Sequence, residues 1–180
     1  INRLVDDCKM ISNGKEGKIL VDERFIYVPT FADEVFNWKT NKYEARKVIK
    51  LIKLIRNLYT ENEEELTDRS IGVITPYRAQ IATIKSLFDK EIPELTSHIT
   101  IDTVERYQGG ARDIIILSLC TNRLSQMRAL VSLSEEGIDR KLNVAITRAR
   151  EQLIVIGNRE ILEENVTYKS LIDSAFEWRI

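Results

Sequence analysis

Short β-branched runs alternate along this chain with longer stretches of helical periodicity, a pattern that predicts a mostly parallel sheet with helices packed on it. Phe25-Ile26-Tyr27-Val28 reads as a strand closed by Pro29. From about 41 to 59, Ala45, Val48, Ile52, Ile55 and Tyr59 recur at three- and four-residue spacing opposite Lys47, Lys50, Lys53 and Asn57, which predicts an amphipathic helix. Ile71-Gly72-Val73-Ile74 is a buried strand, and Pro76 suits the first turn of a helix running to about Asp89. His98-Ile99-Thr100-Ile101 is a further strand, Gly109-Gly110 a loop, and Asp113-Ile114-Ile115-Ile116-Leu117-Ser118-Leu119 a run apolar enough to lie at the centre of the sheet. Residues 124 to 137 lack a clean period and predict an irregular surface connection. A helix over about 139–148, the strand Leu153-Ile154-Val155-Ile156 ended by Gly157-Asn158, and a helix over about 168–177 complete the pattern. Residues 1–24 carry the least pattern and are expected to be a remnant of, or connection to, something upstream, with the folded domain spanning 25–180.

Composition narrows the classes. A chain of 180 residues with 43% hydrophobic and 31% charged residues is expected to fold as one water-soluble unit. No apolar run approaches the roughly 20 residues a bilayer span needs, so no membrane role is expected. The acidic start Asp6-Asp7 lacks the pattern of a secretory signal. Cys8 and Cys120 are too few for a disulfide framework or a zinc site, which points to buried thiols and a cytoplasmic location. A net charge of −1 excludes bulk electrostatic coating of nucleic acid, so any polyanion site must be local. Arginines gather in the second half, whereas the acidic run at Glu61, Glu63, Glu64 and Glu65 reads as a solvated loop.

Three polar signatures each lie beside a strand. Thr75 and Tyr77 follow one strand and Thr103 another, at the carboxyl ends where open parallel sheets bind ligands. A hydroxyl and free amides there can hold a backbone phosphate, although Thr75 also suits a helix cap and Tyr77 partial core packing. Gln108-Gly109-Gly110 lets the backbone approach a ligand closely, or is an ordinary tight turn. If all strands run parallel, Thr75, Thr103 and Gln108 share one rim. Arg148 and Arg150 would stand about 200° apart on a continuous helix, so one at most faces the cleft, and Arg148 is the better candidate at the mouth of the sheet. A guanidinium there can stabilise the charge that develops in phosphoryl transfer, or simply pair with carbonyls at the helix end. No Gly-x-x-x-x-Gly-Lys-Ser/Thr phosphate loop occurs in the chain. His98 is the single histidine, with no cluster of metal ligands around it, and is expected to pack or cap.

Taken together these residues resemble a family. Val73-Ile74-Thr75-Pro76-Tyr77-Arg78-Ala79-Gln80 is similar to motif IV, Ile101-Asp102-Thr103-Val104-Glu105-Arg106-Tyr107-Gln108-Gly109 with Asp113–Ser118 to motif V, and Arg140-Lys141-Leu142-Asn143-Val144-Ala145-Ile146-Thr147-Arg148-Ala149-Arg150 to motif VI of superfamily 1 helicases. The subgroup is that of the nonsense-mediated-decay helicase and its bacterial relatives, and Asn41-Lys42-Tyr43-Glu44-Ala45 resembles its Asn-x-x-Glu-Ala helix start. The resemblance covers about residues 25 to 160 and implies the second RecA-like domain: a three-layer α/β unit, mostly parallel, with helices on both faces.

The resemblance further implies a motor that hydrolyses ATP with Mg²⁺ between two RecA-like domains while moving 5′ to 3′ along single-stranded DNA or RNA. The upstream domain would hold most of the nucleotide and the metal; Ile19-Leu20-Val21-Asp22-Glu23 imitates the family's magnesium strand, but no phosphate loop precedes it. Arg148 takes the role of catalytic γ-phosphate finger, with Gln108, Gly109 and Gly110 as nucleotide contacts, and Thr75, Pro76, Tyr77 and Thr103 belong to the nucleic-acid track. Where the family has Gln-Gly-Arg-Glu-x-Asp, this chain has Gln108-Gly109-Gly110-Ala111-Arg112-Asp113, so the ribose-binding glutamate is replaced by a methyl group. Two functions stay open: a C-terminal motor domain inactive without its upstream partner, or a nucleic-acid-binding module that kept the fold and lost hydrolysis.

Overall fold

The computed structural model describes residues 10–12, 14–33, 38–107, 110–133 and 139–180. Its centre is a sheet of β1 (Phe25–Thr30), β2 (Ile71–Ile74), β3 (Ile99–Asp102), β4 (Arg112–Ser118), β5 (Ala149–Asn158) and β6 (Phe176–Glu177), ordered β3-β2-β4-β5-β1-β6. Every pairing between these strands is parallel. Side chains alternate between faces as the pleat demands: Ile114 and Ile116 enter one apolar cluster, Ile115 and Leu117 the other. The same alternation divides Ile154 and Ile156 from Leu153 and Val155, so both faces need cover.

Helices α1 (Lys15–Asp22), α2 (Lys42–Glu61) and α3 (Arg78–Glu91) cover the first face. The second face is covered by α4 (Met127–Leu130), α5 (Arg140–Ile146), α6 (Arg159–Leu162) and α7 (Val166–Asp173). This is the three-layer α/β architecture that the sequence predicts. Asn41 starts α2 by accepting the Glu44 amide at 2.9 Å, and Ala45, Val48, Ile52 and Ile55 then bury completely. Each buried isoleucine of that stripe contributes about 1.5–3 kcal/mol relative to an exposed one.

Several boundaries differ from the sequence expectation. β1 continues through Pro29 to Thr30, and the partly buried proline pairs in register with Gly157. β5 is ten residues long, so Gly157 and Asn158 lie inside the strand they were expected to end. Pro76 precedes α3, whose N-cap is Tyr77. The run Ile19–Glu23 forms the end of α1 and its cap instead of a strand, and Leu20 joins the core. The connection after Leu124 contains a 3₁₀ turn, Leu124–Gln126, and the short α4. The last helix stops at Asp173, and the chain then adds β6 beside β1. Cys120 is buried, whereas Cys8 lies outside the described residues.

Candidate functional site

Between β2 and β4 the direction of winding changes: α3 leads from β2 outward to β3, and α5 leads from β4 to β5 on the opposite face. Parallel sheets form a crevice at the carboxyl ends of the strands at such a point. Thr75, Pro76 and Tyr77 follow β2 there, Thr103 follows β3, and Ser118 closes β4. Thr75 and Thr103 do share this rim: the Thr75 amide donates to the Asp102 carbonyl at 3.1 Å, and the Thr103 amide donates to Asp102 Oδ1 at 2.8 Å. Both threonine side chains are buried, and Thr75 Oγ1 has no partner among the described residues. Pro76 and Tyr77 are half-buried, so they carry the accessible surface of this segment. Beneath Pro76, a hollow of about 20 Å³ lined by Val104, Leu117, Leu142 and Tyr168 has room for about one water and none for a nucleotide.

Under the rim lies a buried polar network. Glu44 is fully enclosed; Oε2 accepts Ser118 Oγ and the Cys120 amide, both at 2.7 Å, and Oε1 accepts the Thr121 amide at 2.9 Å and Thr121 Oγ1 at 3.3 Å. Burial outweighs these bonds and pushes its carboxyl from the ordinary 4.5 up to about 7. The clamp holds Cys120 at φ 53°, a conformation uncommon for a residue with a side chain. Gln80 joins α3 to the start of α2, accepting the Asn41 amide at 2.8 Å and donating to the Asn41 carbonyl at 3.0 Å. Asn122 Oδ1 accepts the Asp33 amide and Asn41 Nδ2, both at 2.8 Å, while its Nδ2 donates to the carbonyls of Trp38 and Thr40 at 3.0 and 2.7 Å. Gln126 adds bonds from Nε2 to the carbonyls of Trp38 and Cys120. Sequence reasoning noticed Asn41 and Glu44 only as part of a helix start and Gln80 only as the end of a motif, and it missed Asn122 and Gln126. Their signal was faint: uncharged polar residues just beyond apolar strands, a pattern shared with ordinary turns.

Arg148 requires a correction. Expected at the mouth of the sheet on a helix reaching 148, it lies beyond α5, which ends at Ile146, and immediately before β5. The Thr147 amide donates to the Asn143 carbonyl and the Arg148 amide to the Ala145 carbonyl, after which the Arg148 carbonyl accepts the Arg112 amide at 2.9 Å. Arg148 therefore stands at the amino ends of β4 and β5, roughly 20 Å from the carboxyl rim by the length of a seven-residue strand. Its side chain is half-buried, and Nε is enclosed without a partner among the described residues. Arg150 belongs to β5, with Nη1 3.8 Å from Asp113, so the helical-wheel comparison of the two arginines does not apply. Gly110 lies on the same side, just before β4, whereas Gln108 and Gly109 lie outside the described residues. Arg112 folds over the Tyr107 ring, its guanidinium carbon 5.6 Å from the centroid, and Nη2 donates to Thr100 at 3.3 Å. The space it and Tyr107 occupy is Gly72's missing side chain, since a Cβ there would meet the tyrosine hydroxyl. His98 is half-buried before β3, with Nδ1 3.1 Å from Ser97 Oγ, and among the described residues no group of three His, Cys, Asp or Glu gathers to hold a metal.

Residues 25–160 match the family model described as an AAA domain. The chain is 42% identical over 123 residues to the DNA polymerase alpha-associated DNA helicase A of Saccharomyces cerevisiae, covering 68% of this chain and 16% of that protein. It is 34% identical over 144 residues to helicase sen1 of Schizosaccharomyces pombe, covering 77% and 8%, respectively. It is 40% identical over 105 residues to the regulator of nonsense transcripts 1 of Dictyostelium discoideum, covering 57% and 8%. The chain thus spans a sixth or less of each of these relatives.

Proposed function

Because the chain belongs to the superfamily 1 helicases, as a RecA-like domain matching the AAA domain model, we propose that it is the C-terminal half of an ATP-dependent helicase or translocase. In this reading it supplies an arginine finger and part of a single-strand track, and it is inactive without an upstream domain carrying the phosphate loop. The observation that carries the reading is Arg148, a half-buried arginine whose enclosed Nε lacks a partner among the described residues. An unpaired buried guanidinium nitrogen is costly, and a phosphate oxygen is a fitting acceptor for it.

ATP with Mg²⁺, held mainly by the upstream domain, supplies the phosphoryl group and the cation that neutralises it. Arg148 donates to the γ-phosphate oxygens, and its fixed backbone position limits reorganisation as charge develops. Gly110 offers backbone close to the nucleotide, and Gln108 and Gly109 of the same motif are its further proposed contacts. At the other end of the sheet, Pro76 and Tyr77 contact the strand, held at the rim by Thr75 and Thr103, whose amides are both engaged by Asp102. Nucleotide and strand contacts then lie a strand length apart on one rigid sheet, so a domain rotation driven at one end displaces the other.

The test is strand-stimulated ATP hydrolysis by the intact protein containing this domain, wild type against Arg148→Ala. Turnover should fall about 10³-fold or more while ATP binding survives. A second reading, a binding module that has lost hydrolysis, is favoured by Ala111, which offers no acceptor to a ribose where the family has glutamate. Wild-type protein without turnover, or turnover indifferent to the substitution, would select it.

A further inference from the structure

Helices α2 and α3 lie side by side on the first face of the sheet, and ion pairs cross the seam between them. Lys53 Nζ meets Glu91 Oε2 at 2.6 Å, and Arg56 Nη1 meets Glu94 Oε1, in the turn after α3, at 2.7 Å, each pair 38 positions apart. These cations belong to a stripe of α2, Lys42, Arg46, Lys53 and Arg56, whose spacing keeps all four on one side of the helix. The first half of the stripe is unmatched. The run Arg78–Leu87 of α3 contains no acidic residue, and the side chains of Lys42 and Arg46 have no partner among the described residues. There the seam opens into a groove of about 430 Å³ lined by Lys42, Arg46, Ala82, Thr83, Ser86 and Leu87. Both cations and Ser86 are exposed, and the Ser86 hydroxyl has no partner among the described residues. Thr83 Oγ1 donates to the Ala79 carbonyl at 3.0 Å and keeps its lone pairs for an outside donor. Ala82 and the half-buried Leu87 give the groove its apolar surface.

We propose that this groove docks an acidic amphipathic helix of a partner protein, whose carboxylates complete the ion pairing that α3 leaves open. Lys42 and Arg46 stand one helical turn apart, with about 5–6 Å between their Cβ atoms, which matches two carboxylates one turn apart on the incoming helix. An aliphatic side chain from the same face of that helix covers Ala82 and Leu87, and the alkyl stems of Lys42 and Arg46 add to the contact. A nucleic-acid strand fits less well. Two cations match only two phosphates, no aromatic side chain lines the groove for a base, and a backbone continuing along the seam meets Glu91 and Glu94. The groove uses none of the residues assigned to ATP or to the strand, so this proposal and the motor reading fail separately.

The test is a selection of random peptides displayed on phage against the intact protein containing this domain, with subtraction on its Lys42→Glu, Arg46→Glu double variant. Recovered peptides should carry aspartate or glutamate at three- or four-residue spacing beside leucine, isoleucine or valine. A labelled synthetic copy, followed by anisotropy, should bind wild type and lose about tenfold or more in affinity to Arg46→Glu. The same peptide with its acids changed to lysine should prefer the double variant over wild type. Ala82→Arg separates seating from mere attraction, because it adds a cation while filling the groove. It should weaken the peptide, and tighter binding would overturn docking in favour of a diffuse charge effect. The three substituted positions are exposed on helices, and unchanged thermal midpoints verify that the variants fold. No enrichment over the double variant, or enriched peptides without acids, would overturn the proposal. Displacement of the bound peptide by oligo(dT) would overturn it too, by assigning the groove to the strand.

Discussion

Glu44 shows how one carboxylate can organise a rim without touching a ligand. It gathers four donors from Ser118, Cys120 and Thr121, and none of them is a cation. Burial favours its neutral form in the folded state, raising its carboxyl to about 7. Below about pH 4.5, folded and unfolded forms are both protonated and the group imposes no penalty. Between 4.5 and 7 the folded form keeps a proton that the unfolded form has lost, so this contribution to stability falls as pH rises. Above 7 the full penalty applies, on the order of 3 kcal/mol. Glu44→Gln is expected to cost about 1–3 kcal/mol near pH 5, because either amide orientation sets an NH₂ against the Cys120 or Thr121 N–H. Its disadvantage should shrink by pH 8, where only the wild type bears a buried charge. Urea unfolding at the two pH values checks this; parallel losses in both proteins would mean that Glu44 does not titrate in this range.

Among the elements, α5 is short, and its position is set from its ends. Asp139 Oδ1 accepts the amides of Lys141 and Leu142 at 3.1 and 3.2 Å, and Oδ2 lies 3.4 Å from the buried Tyr168 hydroxyl. That carboxylate caps α5 and ties it to α7, and α5 ends two residues before Arg148. Asp139→Ala should therefore destabilise the domain by about 1–2 kcal/mol, lowering the thermal midpoint by roughly 3–8 °C. Hydrolysis should fall by more than the folded fraction does, since the approach to Arg148 loosens. A midpoint within a degree of wild type would rule out a stabilising cap. The helix itself was legible from the apolar spacing of Leu142, Ala145 and Ile146, but its end was not. Arg148 leaves the helix because its carbonyl joins the sheet through Arg112, a partner 36 residues away in sequence that no local pattern announces.

At the scale of the molecule, the two ends of the described chain close the same face. Leu20 of α1 and Trp178 after β6 both enter the cluster under α2, and the Trp178 amide donates to the Tyr27 carbonyl at 2.8 Å, continuing the edge of the sheet. Arg159 reinforces that edge through Glu163, Asp173 and Glu177 at 2.7, 3.2 and 2.9 Å. These pairs are partly solvent-exposed and each contributes little, whereas the tryptophan is 6% exposed. Trp178→Ala is expected to cost about 3–5 kcal/mol in denaturant unfolding. A loss below about 1 kcal/mol would show that the C-terminal segment folds independently of the sheet.

The sequence by itself determined the architecture: continuous apolar runs in the strands and three-to-four spacing in α2 and α5 leave a two-faced parallel sheet as the way to bury both apolar sets. It also marked Thr75, Tyr77, Thr103 and Arg148 as candidate site positions, because the local motifs are contiguous. The tertiary structure alone decided which of these stand together. It put Thr75 and Thr103 on one rim and Arg148 at the other end of the strands, since a parallel sheet holds the residues before a strand a full strand length from those after it. It alone assembled Glu44, Gln80, Asn122 and Gln126 under the carboxyl rim. Those contacts join residues up to 88 positions apart, and long-range hydrogen bonding of uncharged polar groups has no periodicity for a sequence to display.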